Sequence, residues 1–390
     1  MTNKSMPMYN NTNYLYFLVL LILQLGTVTN GSSQPTINVI DAYAKKELIP
    51  MSDLVESVSY VVLESDSLRC GPANRVYAND SLIFVISFRQ IAVFERSTGK
   101  FLRTIGSLGK GPNEFSSTIS SMPFDDQMDI IRAKGWDYSS LEYNSLGSLN
   151  KKVNPKKISL GSIACLNESI YVTSPSKYGY EKESRLVLFD SNDKIIRKLP
   201  RHQKQEDYTT KIVGYKGDEA WFYKLKNELF FKETFNDTLW GITPNSIYPR
   251  YIFELGKLQP PKELGYTYDF KKLRNFIEIS NLFESPELLF FTIKHHKLSF
   301  FAIYDKTKKS LRICDNADDS LFGLKNDIDN SFPFLPFSIT TNNDLVGFIE
   351  AYELIEWKKN NPDLARKLPQ KLKKVREYDN PIVVIATLKE

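Results

Sequence analysis

Three cysteines, three histidines and four tryptophans in 390 residues leave little room for several common chemistries. The cysteines, Cys70, Cys165 and Cys314, are far apart, odd in number and without a Cys-x-x-Cys pair. They read as small buried side chains rather than as a disulfide framework or a metal cage. Two of the histidines, His295 and His296, are adjacent, so neither has the i, i+4 partner of a zinc-binding helix. No Gly-x-Ser-x-Gly elbow occurs, which removes support for the corresponding hydrolases. Charge of one sign is also scarce: 51 basic against 46 acidic residues give a net +5. No run of Lys and Arg is interleaved with aromatics, which disfavours nucleic acid as a partner.

Apolar runs are short, with one exception at the start of the chain. Lys4 precedes Leu15–Leu25, eleven residues that are apolar or aromatic except for Gln24, and small or polar residues follow from Gly26 to Ser33. A bilayer needs about 20 apolar residues, so this run matches the core of a signal peptide rather than a transmembrane anchor. The expectation is a signal peptide over residues 1–31, cleaved between Thr27 and Ser33, and an exported protein in the periplasm or outside the cell. No cysteine follows the apolar core to carry a lipid.

What the chain has in quantity is a repeated strand-turn-strand unit. Its clearest copy is Ile91–Ile105, two apolar runs hinged on Ser97-Thr98-Gly99. A second kind of hairpin turns at Asn79-Asp80, Asp125-Asp126, Asn167-Glu168, Lys216-Gly217-Asp218, Ser285-Pro286-Glu287 and Asn342-Asn343-Asp344. Asn, Asp and Gly suit such tips because they tolerate left-handed backbone or bond their own main chain. From Asp80 to Asn343 is 263 residues, or five steps of about 53. A four-stranded propeller blade takes roughly 40 to 50 residues, so six turns predict an all-β, six-bladed β-propeller over residues 37–390. Two stacked β-sandwich domains are the alternative.

The ends complete the count. Five outer hairpins, centred on Phe94, Tyr143, Phe189, Trp240 and Tyr304, leave the sixth blade short of outer strands. Val58–Leu63 and Pro381–Leu388 are both strand-like, and pairing them would close the ring without an exposed edge. Two insertions interrupt the period. Residues 256–280 carry a candidate short helix at Tyr268–Phe276. Residues 351–380 form a helical insertion in the last blade, with Asn361-Pro362 as a helix start and Leu364, Leu368, Leu372 and Val375 as an apolar stripe. Pro369 is expected to break that stripe into two helices.

Gly106-Ser-Leu-Gly-Lys-Gly-Pro-Asn-Glu-Phe115, preceded by Val93-Phe94 and Gly99-Lys100-Phe101-Leu102, resembles the glycine signature of a secreted six-bladed β-propeller family common in Bacteroidetes. Met51–Val55 before Tyr60–Leu63, Asn236–Trp240, Pro249-Arg250-Tyr251 and Asn380-Pro381 agree in order, and the resemblance covers residues 37 to 390. It implies a fold similar to NHL-type and TolB-like propellers and no particular activity. The chain departs from many members in lacking the lipidation cysteine. The same glycines are not a phosphate loop, because Gly111-Pro112 follows Gly109-Lys110 where Ser or Thr is required, and no helix comes after. A tight inter-blade turn explains them.

Function is therefore expected of a face rather than of a catalytic centre, and no catalytic residue, metal site or cofactor is implied. Loops between the second and third strands of each blade share a face with the inter-blade crossings. On the repeat, these are Phe88-Arg89-Gln90, Lys134-Gly135-Trp136, Lys177-Tyr178, Lys226-Asn227 and His295-His296-Lys297, with the basic 351–380 insertion in the sixth blade. Arg89, Trp136, Lys177, Tyr178 and His296 are the candidate ligand-binding residues. Aromatic rings stack on sugars or apolar side chains, and Arg and Lys donate to carboxylate or sulfate. The expected partner is an acidic glycan or peptide, or another cell-envelope protein, bound by a monomer. A propeller enzyme of lactonase or lyase type, with a metal in the central channel, is the alternative.

Overall fold

The computed structural model describes residues 34–118, 124–176, 180–201, 220–261, 264, 269–315 and 322–389. The expected signal peptide lies outside these residues. Residues from Thr36 onward form six antiparallel sheets, and each sheet is a blade. Blade 1 comprises Ala73–Ala78, Leu82–Ser87, Ile91–Glu95 and Phe101–Thr104. In blade 2 the innermost place is shared by Phe115–Ser117 and Phe124–Asp125, followed by Ile130–Gly135, Ser140–Tyr143 and Leu149–Val153. Blade 3 comprises Ser162–Asn167, Ile170–Ser174, Ser184–Asp190 and Ile195–Pro200. Blade 4 is Ala220–Leu225, Glu228–Glu233, Thr238–Ile242 and Ile247–Glu254, and blade 5 is Glu278–Glu284, Leu288–His295, Leu298–Asp305 and Ser310–Ile313.

Blade 6 closes the ring. Its strands run Pro336–Ile339, Asp344–Ile349, Ile382–Leu388 and finally Val55–Val62. Tyr60 pairs with Val384 and Val62 with Ile382, antiparallel, so the strand-like segments at the two ends of the repeat do meet. Neither end strand is left as an unpaired inner edge, which removes a template for aggregation.

The core is distributed rather than central. Six apolar clusters are present, one in each interface between neighbouring blades. Phe84, Ile86 and Val93 of blade 1 meet Ile131, Ala133 and Leu141 of blade 2, for example. The strand residues are alternately aimed at the two neighbouring blades, so both faces of each sheet are apolar, and alternation of polar and apolar residues is lost in the inner strands.

Blade 4 departs from the expected phase. The turn expected at Lys216-Gly217-Asp218 lies outside the described residues, and Trp221-Phe222 sits on the innermost strand rather than the second. Lys226-Asn227 is therefore the turn between first and second strands, on the opposite face from Arg89. Lys226-Asn227 thus lies one strand further in than the repeat spacing predicts.

An additional element has no counterpart in the repeat. Thr36–Asn38 adds a fifth strand, parallel to Ile252–Glu254, on the outer edge of blade 4. The chain then passes blade 5, where Glu47 N donates to Ile313 O at 3.0 Å and Asp315 N to Glu47 O at 2.8 Å. It reaches the crossing into blade 6, where Met51 N donates to Lys325 O and Lys325 N to Ile49 O, both at 2.8 Å. Arg312 clasps this strap through Glu47 and Asp53, both at 2.7 Å.

The helical insertion occupies the connection between the second and third strands of blade 6. Helix Ala351–Asn360 starts with a reciprocal capping box between Glu350 and Glu353. Pro362 opens the next short helix, and Pro369 sits at the N-cap of Gln370–Lys373, which separates the two. Leu354, Trp357, Leu368, Leu372 and Val375 are buried with blades 5 and 6.

Candidate binding face

Connections between second and third strands, and between one blade and the next, emerge on one face of the ring. Turns between first and second strands, and between third and fourth, emerge on the other. Among the described residues seven aromatic side chains are exposed: Phe88, Trp136, Tyr138, Tyr180, Phe270, Tyr352 and Tyr378. All seven lie in connections of the first face. Six belong to loops between second and third strands, and Phe270 belongs to the crossing from blade 4 to blade 5.

One sector of this face joins blades 1 and 2. Gly135 and Ser139 close the blade 2 turn with a 2.9 Å backbone bond, and Tyr138 N donates to Gly135 O at 3.2 Å. Asp137 braces the turn by accepting from Ser139 Oγ at 2.6 Å and pairing with Lys152 at 2.8 Å. Burial works against ionisation of Asp137, but Lys152 and the Ser139 donors hold its carboxyl down to about 2. With Asp137 tied to Ser139 and Lys152 and Tyr138 in left-handed backbone at φ 62°, Trp136 and Tyr138 point out, 56% and 71% exposed.

The glycine-rich crossing supplies the other wall. Gly106 has φ +60°, and a Cβ there would meet the Tyr143 ring at 2.9 Å. A Cβ on Gly109 would strike the Glu114 carboxylate at 2.0 Å, because Glu114 folds back to accept from Gly111 N at 2.7 Å. The loop's own carboxylate therefore occupies the place that a phosphate would take, and the loop is an inter-blade turn. Its tip contacts the blade 2 turn. Trp136 Nε1 donates to Gly109 O, and the Lys110 ammonium stands 5.4 Å from the indole centroid. Lys134 extends over Tyr138 with its ammonium 5.2 Å from the ring, and burial lowers its pKa. Thr118 Oγ1 donates to Ser87 O at 2.6 Å, which sets the Phe88-Arg89 turn beside blade 2. Phe88 and Arg89 are exposed at that turn.

The remaining candidates are spread more widely. Lys177 and Tyr178 lie outside the described residues. His296 is exposed on the same face but in blade 5, opposite blade 2 in the ring, at φ 49°. Its neighbour His295 is buried, bonded to Tyr43 Oη at 2.8 Å and stacked on His296 with centroids 4.0 Å apart. Burial, then the His296 charge, lower the His295 pKa. The structure thus brings Arg89 and Trp136 to one sector and leaves His296 in another. Lys110, Tyr138 and Tyr180 are not singled out by motif. Their common signal is position, as exposed residues in connections of one face.

The channel side differs in character. Arg75 of blade 1 stacks on Trp221 of blade 4, 4.7 Å from the ring centroid, so this pair reaches across the axis between opposite blades. Lys224 of blade 4 pairs with Asp125 of blade 2 at 2.7 Å. Among the described residues no three His, Cys, Asp or Glu side chains gather where they could hold a metal ion. The three cysteines are buried and free, and burial pushes each thiol up to about 12.

In the insertion, residues 357–376 hold eight basic residues and one acidic, which leaves two more acidic than basic residues in the rest of the chain. Lys358 Nζ donates to Leu372 O at 2.9 Å and Lys371 Nζ to Tyr60 O at 2.5 Å, so part of this charge fastens the insertion to the ring. Lys359, Lys367, Lys373 and Lys374 are exposed.

Residues 34–387 match a protein family described as a domain of unknown function, DUF4934. Among solved structures, an exported protein of Bacteroides fragilis, so described provisionally, is similar at TM-score 0.67 and 18% identity, covering 88% of this chain and 98% of that one. A member of the DUF4221 family from Bacteroides vulgatus aligns over 86% of this chain and 97% of its own, at TM-score 0.44 and 11% identity. No curated protein matches the sequence. The first likeness supports the propeller fold independently of the sheet order. No helix among the described residues is long and apolar enough to cross a membrane.

Proposed function

The chain belongs to the DUF4934 family, and from that premise we propose that it is an exported binding or scaffolding protein. Its working surface is the face that carries the inter-blade crossings and the loops between second and third strands. That face engages a glycan, a peptide or a partner protein of the cell envelope. The observation that carries this reading is the segregation onto that face of the seven aromatics exposed among the described residues. Exposed aromatics cost solubility unless they bind something, and they supply contact area at low entropy cost. Export is supported by the apolar core at Leu15–Leu25, and the similar Bacteroides fragilis protein carries an export description. Kinship with NHL and TolB-like propellers is proposed on the same blade pattern.

The experiment recovers the protein from the periplasm of its host and reads its N-terminus by mass spectrometry, then footprints the surface with hydroxyl radicals in cell-envelope extract. A mature start between Thr27 and Ser33, with Phe88, Trp136 and Tyr138 protected by the extract, is the expected result. Retention of Met1 overturns export. Protection confined to the opposite face overturns the assignment of the surface.

A further inference from the structure

We infer that the blade 1–2 sector of this face is an acidic-sugar subsite, in which Trp136 and Tyr138 stack on pyranose rings while Lys110, Lys134 and Arg89 receive their carboxylate or sulfate groups. The inference rests on the surface reading above and deepens it to a ligand class.

Three observations converge. First, the indole is fixed before any ligand arrives. Its Nε1 is spent on Gly109 O, so what remains to offer is the exposed ring, which suits the C–H face of a sugar better than a donor-seeking group. Preorganised aromatics bind without the ordering cost that a free side chain carries. Second, a cation stands over each ring. Lys110 is 5.4 Å from the Trp136 centroid and Lys134 is 5.2 Å from that of Tyr138, so a carboxylate reaching either ammonium carries its ring over the adjacent aromatic. Third, among the described residues the Asp137 carboxylate of the same turn does not pair with Lys110, Lys134 or Arg89. Asp137 is engaged by Lys152, Ser139 and Asn154. Lys134 is partly buried with an aromatic as its neighbour, and burial lowers its pKa. An anionic ligand supplies a counter-ion.

A polysaccharide is favoured over a peptide by the backbone. A bound strand needs an unpaired sheet edge, whereas the second and third strands flanking this turn are hydrogen-bonded to each other over Ile131–Tyr143 and Lys134–Ser140. The surface offers rings and ammonium groups and no free strand edge at this site.

The test is calorimetric titration of the full mature protein with four probes: a tetragalacturonate, a chondroitin sulfate tetrasaccharide, the neutral cellotetraose and a deca-glutamate peptide. Binding of one or both acidic saccharides is expected, weakened at least about tenfold by Trp136→Ala and by Lys110→Ala/Lys134→Met, and weakened by salt. Circular dichroism and melting temperature of each variant establish that the fold is retained. Because both substitutions are at exposed or half-exposed positions, Trp136→Phe is the second ring variant and should recover part of the affinity.

Cellotetraose binding as tightly as the acidic sugars, and lost in Trp136→Ala, overturns the ligand class and leaves the surface reading standing. Deca-glutamate bound in preference to both acidic saccharides does the same. Acidic saccharide binding unchanged by either variant overturns the subsite. No acidic saccharide binding below about 1 mM, where affinity falls to roughly 4 kcal/mol, also overturns the inference, while the footprint of the same face decides the surface reading separately.

Discussion

Glu350 shows how one residue ties the helical insertion to the ring. It ends the second strand of blade 6, accepts from Ala73 N of blade 1 at 2.7 Å and caps the insertion helix. Burial, opposed by the Ala73 donor and assisted by the Glu353 charge, raises its pKa to about 7. The unfolded chain releases this proton near the ordinary value of about 4.3, well below the folded pKa. Stability from this group is therefore fully present below the unfolded pKa and is lost as pH rises through 7. Full burial would make the loss about 3 kcal/mol, and partial exposure screens it to about 1–2 kcal/mol. Glu350→Gln keeps an acceptor for Ala73 and cannot titrate. In urea unfolding, the wild type should match Glu350→Gln at pH 4.5 and fall below it at pH 8. Parallel pH profiles for the two proteins would contradict the assignment.

Charged residues also join whole elements, and here the ion pairs are placed with the blades. Glu284, at the end of the innermost strand of blade 5, accepts from Arg250 of blade 4 at 2.5 and 3.1 Å and from Lys306 at 2.8 Å. Its side chain is 0% exposed. Glu284→Gln leaves two cations facing a neutral amide, and breaking a buried pair from one side costs about 3–5 kcal/mol. Chemical denaturation should show that loss, and a loss below about 1 kcal/mol would place the pair in solvent. Such pairs leave no pattern in sequence, because Arg250 and Glu284 are 34 residues apart and no spacing marks them as partners. The blades were legible for the opposite reason: turn residues recur at near-constant spacing. Where turn chemistry misleads, so does the reading. In blade 4 the true inner turn puts Lys226 at φ 54°, a conformation usually given to Gly, Asn or Asp, while Lys216-Gly217-Asp218 carries the stronger signal nearby. Trp136 and Arg89 were legible as loop residues. Their flanking Lys110 was hidden inside a glycine motif whose explanation was structural.

At the scale of the whole molecule, two devices hold the ring, and they separate experimentally. The closing strand Val55–Val62 supplies the last edge of blade 6. The strap that precedes it crosses blades 4, 5 and 6 on the outside and buries Ile37, Val39, Ile49 and Met51. Sequence pointed to the first, a long β-branched run with a partner at the other end of the chain. It gave no sign of the second, since Thr36–Asn38 is three residues long and gains its strand character only from the neighbour it meets. Removing residues 34–50 should leave a closed propeller that has lost three backbone bonds to blades 5 and 6 and three buried apolar side chains. Each such side chain is worth about 1.5–3 kcal/mol, so the melting temperature should fall by roughly 10 °C or more while the transition stays cooperative. Removing residues 34–64 takes the closing strand as well, and leaves Ile382–Leu388 as a bare edge rich in Ile and Val beside an unmatched blade 1. That protein should aggregate on refolding, as an exposed apolar edge strand does, and bind a hydrophobic dye. Soluble, cooperatively melting protein from the longer deletion would mean that closure does not depend on this strand, whereas equal behaviour of the two deletions would assign the ring's integrity to the strap.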